Sequence, residues 1–331
     1  MTNFILVDAA NMYHRARHVS TRQSDIDMQI GMAFHIIMNS IKSCHRKFNA
    51  DHVIFCLEGR SWRKDFYKPY KAQRKLLQAA KSVKEQENDA IMFEAYESLV
   101  TFIKDKTNVT TLRHSDAEAD DMIALFIASH PDDHHTIVSS DTDYYQLLAE
   151  NVQMYNGVSN QIITLDGFFD EKTMKPIIDK KTNVPKENPD PEWLLFEKCI
   201  RGDTSDNIFS SYPGARKKGT KNKVGLQEAF ADRNSGGFNW NNFMLQRWVD
   251  HNGVGHTVKD DYERNVSLVD LTAQPYDLKV KFIEAILDQC KPKEVGNVGI
   301  NFLRWCNEWD LQNLAKYPDE MARVLNKKYP V

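Results

Sequence analysis

Acidic side chains recur in this 331-residue chain where apolar runs of strand length stop. Asp8 follows Phe-Ile-Leu-Val, Glu58 follows Val-Ile-Phe-Cys-Leu, and Asp141-Thr-Asp143 follows Thr-Ile-Val-Ser-Ser. Glu118-Ala-Asp120-Asp121 opens a helical stretch, and Asp203-Thr-Ser-Asp206 adds two more acids. The carboxyl ends of the strands of a parallel sheet share one edge, where α/β sites form. Carboxylates placed there converge, and each like neighbour raises the cost of the next ionisation. Hard divalent cations resolve that conflict, because Mg²⁺ takes a few carboxylates and keeps waters for a phosphate substrate. The pattern implies metal-dependent cleavage of phosphodiesters.

The periodicity supplies the sheet this argument needs. Runs rich in Val, Ile and Phe at 4–7, 53–57, 109–112 and 136–138 predict strands, and stretches at about 26–47, 90–105 and 117–129 predict helices between them. Such alternation predicts an α/β fold, a mostly parallel twisted sheet flanked by helices. Gln153–Tyr155 and Gln161–Leu165, around Asn156-Gly157, predict a hairpin or paired edge strands. The Pro/Lys/Asn-rich stretch from Asp179 to Pro191 reads as an interdomain loop. Beyond it no strand-like run appears, and helices are expected at about 191–201, 223–232, 239–251, 258–270, 275–290 and 299–326. The expected division is an α/β domain over 1–190 and a helical domain over 191–331.

Composition narrows the class. No apolar run approaches the ~20 residues of a membrane span, and Met-Thr-Asn leads straight into a strand, unlike a signal peptide. The five cysteines lack CxxC spacing and read as buried thiols of a reducing cytoplasm. The net charge of −3 hides two basic stretches. Arg60 to Lys84 holds nine Lys/Arg against Asp65 alone, and Arg216 to Lys223 holds five bases and no acid.

Each motif also has a plainer reading. Ser115 and Glu118 have the spacing of a capping box, and acids suit a first helical turn. Capping does not use three acids, which leaves some of Glu118, Asp120 and Asp121 for metal or metal-bound water. Glu118 and Asp121 are expected on one face, with Asp120 oblique to it. Asp143 reads equally as a helix N-cap, a role not open to Asp141. Asp203 to Asn207 reads equally as a solvated turn, and Glu58-Gly59 as a strand-end turn. His130-Pro-Asp-Asp-His134-His135 has a metal site's composition but reads as a solvated connection. The segment Arg60 to Lys75 interleaves Arg60, Arg63, Lys64, Lys68, Lys71, Arg74 and Lys75 with four aromatics, Trp62, Phe66, Tyr67 and Tyr70. Bases for phosphates and aromatics for stacking make a single-strand binding element.

Taken in order, FILVDAANMYHRA, IFCLEG followed by WRKDFYKPYKAQR, AEADDMIALF, VSSDTDYYQLL, CIRGDTSDNI and YERNVSLVDL closely resemble the flap endonuclease/5′-nuclease family, particularly its phage replication RNase H type. The resemblance spans residues 4–271 and implies two metal clusters. Asp8, Glu58, Glu118, Asp120 and Asp141 would serve the first ion, and Asp143, Asp203 and Asp206, with Asp121 nearby, the second. The implied cofactor is a pair of Mg²⁺ ions, replaceable by Mn²⁺. Lys71 and Arg74 would act with Asp141 and Asp143 in catalysis, on an arch or gateway over 60–95. Tyr13 would stack near the strand junction. A helix–three-turn–helix-like motif in the second domain would grip duplex phosphates through backbone N–H groups and Arg216, Lys217, Lys218, Lys221 and Lys223.

Two departures stand out. Glu58 replaces the family's usual Asp and reaches one methylene further, and nine residues separate Pro213-Gly214 from Val224-Gly225, where the family's glycines lie close together. The implied activity is that of a 5′-3′ exonuclease and flap endonuclease that also cuts RNA paired with DNA during primer removal. The implied partners are flapped DNA, RNA–DNA hybrids and proteins of a replisome (a single-strand-binding protein, clamp or polymerase). The implied state is a monomer away from membranes, in the host cytoplasm if phage-encoded. A catalytically silent DNA-binding module and a PIN-like ribonuclease are the alternatives.

Overall fold

The computed structural model describes residues 1–23 and 25–330. In chain order its elements begin with β1 (Asn3–Asp8), α1 (Ala9–Ser20), α2 (Ile26–Lys47), β2 (His52–Cys56), α3 (Arg63–Phe66), α4 (Gln73–Ala79), α5 (Val83–Lys106) and β3 (Thr110–Leu112). They continue with α6 (Ala119–Ser129), β4 (His134–Val138), a 3₁₀ turn (Thr142–Leu147), β5 (Val152–Asn156), β6 (Gln161–Thr164) and β7 (Gly167–Asp170). After the long loop come α7 (Pro191–Arg201), α8 (Leu226–Ala231), α9 (Phe238–Met244), β8 (Arg247–Val249), β9 (Gly255–Thr257) and α10 (Val258–Val269). The chain closes with α11 (Tyr276–Gln289), α12 (Val298–Glu308), α13 (Gln312–Ala315) and α14 (Pro318–Asn326).

The residues group into two compact units. The first comprises 1–61, 81–188 and 276–331 and contains a seven-stranded sheet in the order β3-β2-β1-β4-β5-β6-β7. The first five strands of that order run parallel, and β6 and β7 are antiparallel. The predicted hairpin is present, extended by β7, a strand the sequence reading missed. Val-, Ile- and Phe-rich β1 and β2 are buried almost throughout, as expected of strands covered on both faces. Helix α2 buries Ile30, Phe34, Ile37, Met38 and Ile41, a stripe at helical spacing, and Asp25 caps its first amides. In α5 the buried residues begin only at Met92, so its first two turns lie outside the core.

The expected boundary at residue 190 does not separate these units cleanly. Phe302, Trp305, Val324 and Leu325 of α12 and α14 belong to the same core as β1, α2 and α5, with Trp305 stacked on Phe102 at 4.7 Å. Burial of that apolar surface assigns the last helices to the sheet-bearing unit.

The second unit comprises 62–80 and 189–275. Phe196, Ile200, Leu226, Phe243, Met244 and Val258 form its core, and Tyr70, Cys199, Ile208, Leu268 and Val269 form an adjoining cluster. The helix expected over 239–251 stops at Met244, and β8 and β9 form an antiparallel hairpin instead. Asp250 there accepts from the Asn252 and Val254 amides, Gly253 takes φ +82°, and Trp248 stacks on His256 at 4.3 Å. The helix expected over 299–326 is likewise three, interrupted by Asp310 at φ +50° and by Pro318.

Candidate metal centre

β1 ends on Asp8, which is 6% exposed and caps α1. Its Oδ1 accepts from the Asn11 amide at 3.0 Å, and its Oδ2 accepts from the Ser139 and Tyr144 hydroxyls, each at 3.1 Å. These donors fix the orientation of the carboxylate at the end of the strand. β2 is followed by Glu58, whose position is set by the next residue. A Cβ on Gly59 would stand 2.0 Å from the His114 carbonyl oxygen, so only glycine lets the chain pass against the start of α6. Gly59 and Arg60 then donate to the Ala117 and Ser115 carbonyls. Glu58 Oε2 comes within 3.4 Å of the Ala119 amide, which donates to it.

At α6 the N-cap is Glu118 rather than Ser115, and Asp121 supplies the capping carboxylate, accepting from the Glu118 amide at 3.1 Å. This outcome differs from the expected face. Because Glu118 precedes the helix, Asp120 does not point away from it. Carboxylate oxygens of Glu118, Asp120 and Asp121 all lie within 4.8 Å of one another. Glu118 and Asp121 are buried, and Ser61 donates its hydroxyl to Glu118 at 2.7 Å. Asp141 also differs from its expected role. It, not Asp143, caps the following 3₁₀ turn, accepting from the Asp143 amide at 3.0 Å.

Two tyrosines register the shared field. Burial pushes the Tyr144 hydroxyl well up, and the charges of Asp8, Asp120 and Glu58 push it further. Burial likewise raises Tyr96, followed by Glu58 and Asp8. Asp8, Glu58 and Asp120 therefore act on the same neighbourhood. Tyr144, Tyr96, Ser139 and Ser61 were missed from the sequence. Only Tyr144 carried a signal there, as the residue after Asp143.

In the second unit Asp203 and Asp206 sit in the turn after α7, which ends at Gly202 with φ +74°. Asp203 pairs with Lys198 at 2.7 Å and accepts from the Ser205 amide and hydroxyl at 2.7 and 2.6 Å. Burial would raise its carboxyl, but these partners prevail and hold it at about 2. Asp206 meets Arg74 at 2.9 Å, Lys71 at 3.5 Å and the Tyr70 hydroxyl at 3.2 Å. The Lys71 amide donates to the Asp206 carbonyl at 2.8 Å, with Lys71 at φ +52°. Both expected catalytic cations thus meet one carboxylate.

The expected nucleic-acid contacts divide by exposure. Arg60, Lys64, Lys68, Arg74, Lys75, Arg216, Lys217, Lys218, Lys221 and Lys223 are exposed. Arg63 is fully buried, donates through Nε to the Leu268 carbonyl at 2.9 Å and lies over Trp62, so it is structural. Tyr13 is also buried. It packs on Tyr96 and donates to the Met92 carbonyl, which removes it from stacking on a strand. Of the four aromatics in 62–70, Trp62 and Tyr70 are core, Tyr67 is half-buried and Phe66 is exposed. His135, expected in a solvated connection, is buried in β4, where its Nε2 hydrogen-bonds the His130 carbonyl at 2.9 Å and its ring packs on Phe4 and Phe126.

A model of the 5′-3′ exonuclease N-terminal, resolvase-like domain matches residues 3–175. A 5′-3′ exonuclease of Mycoplasmopsis pulmonis is 26% identical over 224 residues, 66% of this chain and 65% of that protein. The flap endonuclease Xni of Psychromonas ingrahamii is 23% identical over 292 residues, 85% of this chain and 95% of its own. Among solved structures, the bacteriophage T5 flap endonuclease in a pseudo-enzyme–product complex with DNA and metal ions superposes with a TM-score of 0.58. It is 22% identical and covers 86% of this chain and 98% of its own. With more than half of its residues matched by that domain, on a sheet whose first strand ends on Asp8, the chain belongs to the 5′-3′ exonuclease (flap endonuclease) family.

Proposed function

We propose that the protein is a structure-specific 5′-nuclease. It hydrolyses phosphodiesters in 5′-flapped DNA and in RNA paired with DNA, leaving a 5′-phosphate and a 3′-hydroxyl, as primer removal requires. The observation that carries this reading is the trio Glu118, Asp120 and Asp121, within 4.8 Å of one another and in a shared field with Asp8 and Glu58. An all-oxygen carboxylate set fits Mg²⁺ or Mn²⁺ and not a soft metal. Asp8, Glu58, Glu118, Asp120 and Asp141 would hold one ion, and Asp143, Asp203 and Asp206, with Asp121, a second. Bound there, such ions supply Lewis-acid activation of water and neutralise charge on the leaving oxygen.

The chain's own residues do the rest. Ser139 and Tyr144 orient Asp8 through their hydroxyls, and Ser61 does the same for Glu118. Lys71 and Arg74 place positive charge for the phosphoryl oxygens. The exposed bases of 60–95 guide the 5′ strand, and the loop bases of the second unit contact duplex phosphates. The test is a 5′-flapped duplex labelled separately at each end. Short products released from the 5′ side in Mg²⁺, and none with EDTA, are expected; tight binding without cutting would favour a silent DNA-binding module. Asp141→Asn and Asp206→Asn should each abolish turnover while duplex binding persists, and loss of binding with the fold intact would give these acids another role.

A further inference from the structure

The loop between α7 and α8 concentrates Arg216, Lys217, Lys218, Lys221 and Lys223, all exposed, with no acid from 215 to 225. Such a run repels itself, so its shape needs a cause. The Leu226 amide donates to the Arg216 carbonyl at 2.9 Å and the Gln227 amide to the Lys217 carbonyl at 3.0 Å. At the neck, one oxygen of Glu228 accepts from the amides of Gly219 at 2.9 Å and Gly225 at 3.0 Å. The Gly225 bond is the ordinary half of a capping box. The Gly219 bond, nine residues upstream, is not needed by any cap. Glycine is obligatory at both ends. A Cβ on Gly225 would lie 2.3 Å from the Gly219 nitrogen, and one on Gly219 would lie 2.6 Å from the Lys223 oxygen.

We propose that Glu228 is a positioning residue for duplex binding: it takes up the Gly219 and Gly225 amides, fixes the loop, and leaves phosphate contact to the five side chains. This rests on the reading of the loop as a duplex contact and changes its chemistry. Backbone amides would recognise a phosphate with little counterion release, whereas each Lys or Arg contact adds to the salt dependence. The loop expected to grip phosphate through glycine amides has two of those amides already occupied. Glu228 also carries a negative charge among the cations, so its geometric and electrostatic roles have opposite signs.

Two substitutions separate them. Glu228→Ala removes the acceptor and loosens the neck, while Glu228→Gln keeps an acceptor oxygen and removes the charge. Binding is measured on a flap-free duplex by fluorescence anisotropy without divalent ions across a salt series, and cleavage of a flapped duplex in Mg²⁺ gives kcat and KM. Glu228→Ala should raise Kd about five-fold, the scale of one ordinary net hydrogen bond, and raise KM while kcat holds. Glu228→Gln should bind as tightly as the parent or more tightly. A Lys217→Ala/Lys218→Ala variant should reduce the slope of log K against log salt by about two. If that pair weakens binding but Glu228→Ala does not, the loop contact stands and the positioning role falls. An equal loss in Glu228→Gln and Glu228→Ala, with a matching fall in melting temperature, would reduce Glu228 to a stability residue. If the lysine pair changes nothing, the inference falls with the loop contact, while cleavage in Mg²⁺ still tests the nuclease reading.

Discussion

The hydroxyls of Ser139 and Tyr144 donate to Asp8, whereas Asp206 meets the charged side chains of Lys71 and Arg74. Tyr144→Phe therefore removes one donor to the buried Asp8 carboxylate. The loss should be about 2 kcal/mol of stability, the scale of a hydrogen bond to an ionised group. An unchanged denaturation midpoint with unchanged slope would show that Asp8 does not depend on Tyr144. Lys71→Ala should depress turnover more than duplex affinity, and an equal fall in both would make Lys71 a simple phosphate contact. Residue types that look alike in sequence therefore part company. Arg63 and Arg60 belong to the same basic run, but one is a core residue and the other a surface base.

Local elements set the turns that carry the acids. The turn after α7 is fixed by Asp203 through Lys198 and Ser205, and its carboxyl sits at about 2 against an ordinary 3.8. A depressed folded value means that this stabilisation is present above the unfolded value and is lost as the pH falls from about 4 toward 2. Lys198→Ala should raise the Asp203 carboxyl, lower stability at neutrality and move acid unfolding to higher pH, the difference from the parent vanishing as the pH falls to about 2. An acid transition that stays in place would remove Lys198 as the cause. The same scale explains the hairpin β8–β9. Arg247-Trp248-Val249 was absorbed into a predicted helix because three residues are too few to establish a strand period.

At the scale of the molecule, the C-terminal helices matter to the sheet rather than to a separate helical domain. Phe302, Trp305 and Leu325 close the core over α2 and α5, so a chain ending at Pro275 should lose near-ultraviolet dichroism and cooperative melting. Retention of a cooperative transition by that shortened chain would show that the sheet-bearing unit is complete without them. Among the described residues, no helix is long and apolar enough to cross a membrane.

The strands β1, β2 and β4, the helices α2 and α6 and the acids at their ends were legible from sequence alone, because hydrophobic period and strand-end position are local properties. The motifs also carried the family. What the sequence could not decide was which polar residues face inward. Tyr13 and Arg63 became core residues, Asp120 turned toward Glu118, and Asp141 took the cap expected of Asp143. The assignment of residues 276–331 to the sheet was equally out of reach. Each depends on packing between segments far apart in the chain, and the burial energy that decides it is shared among partners that no local window contains.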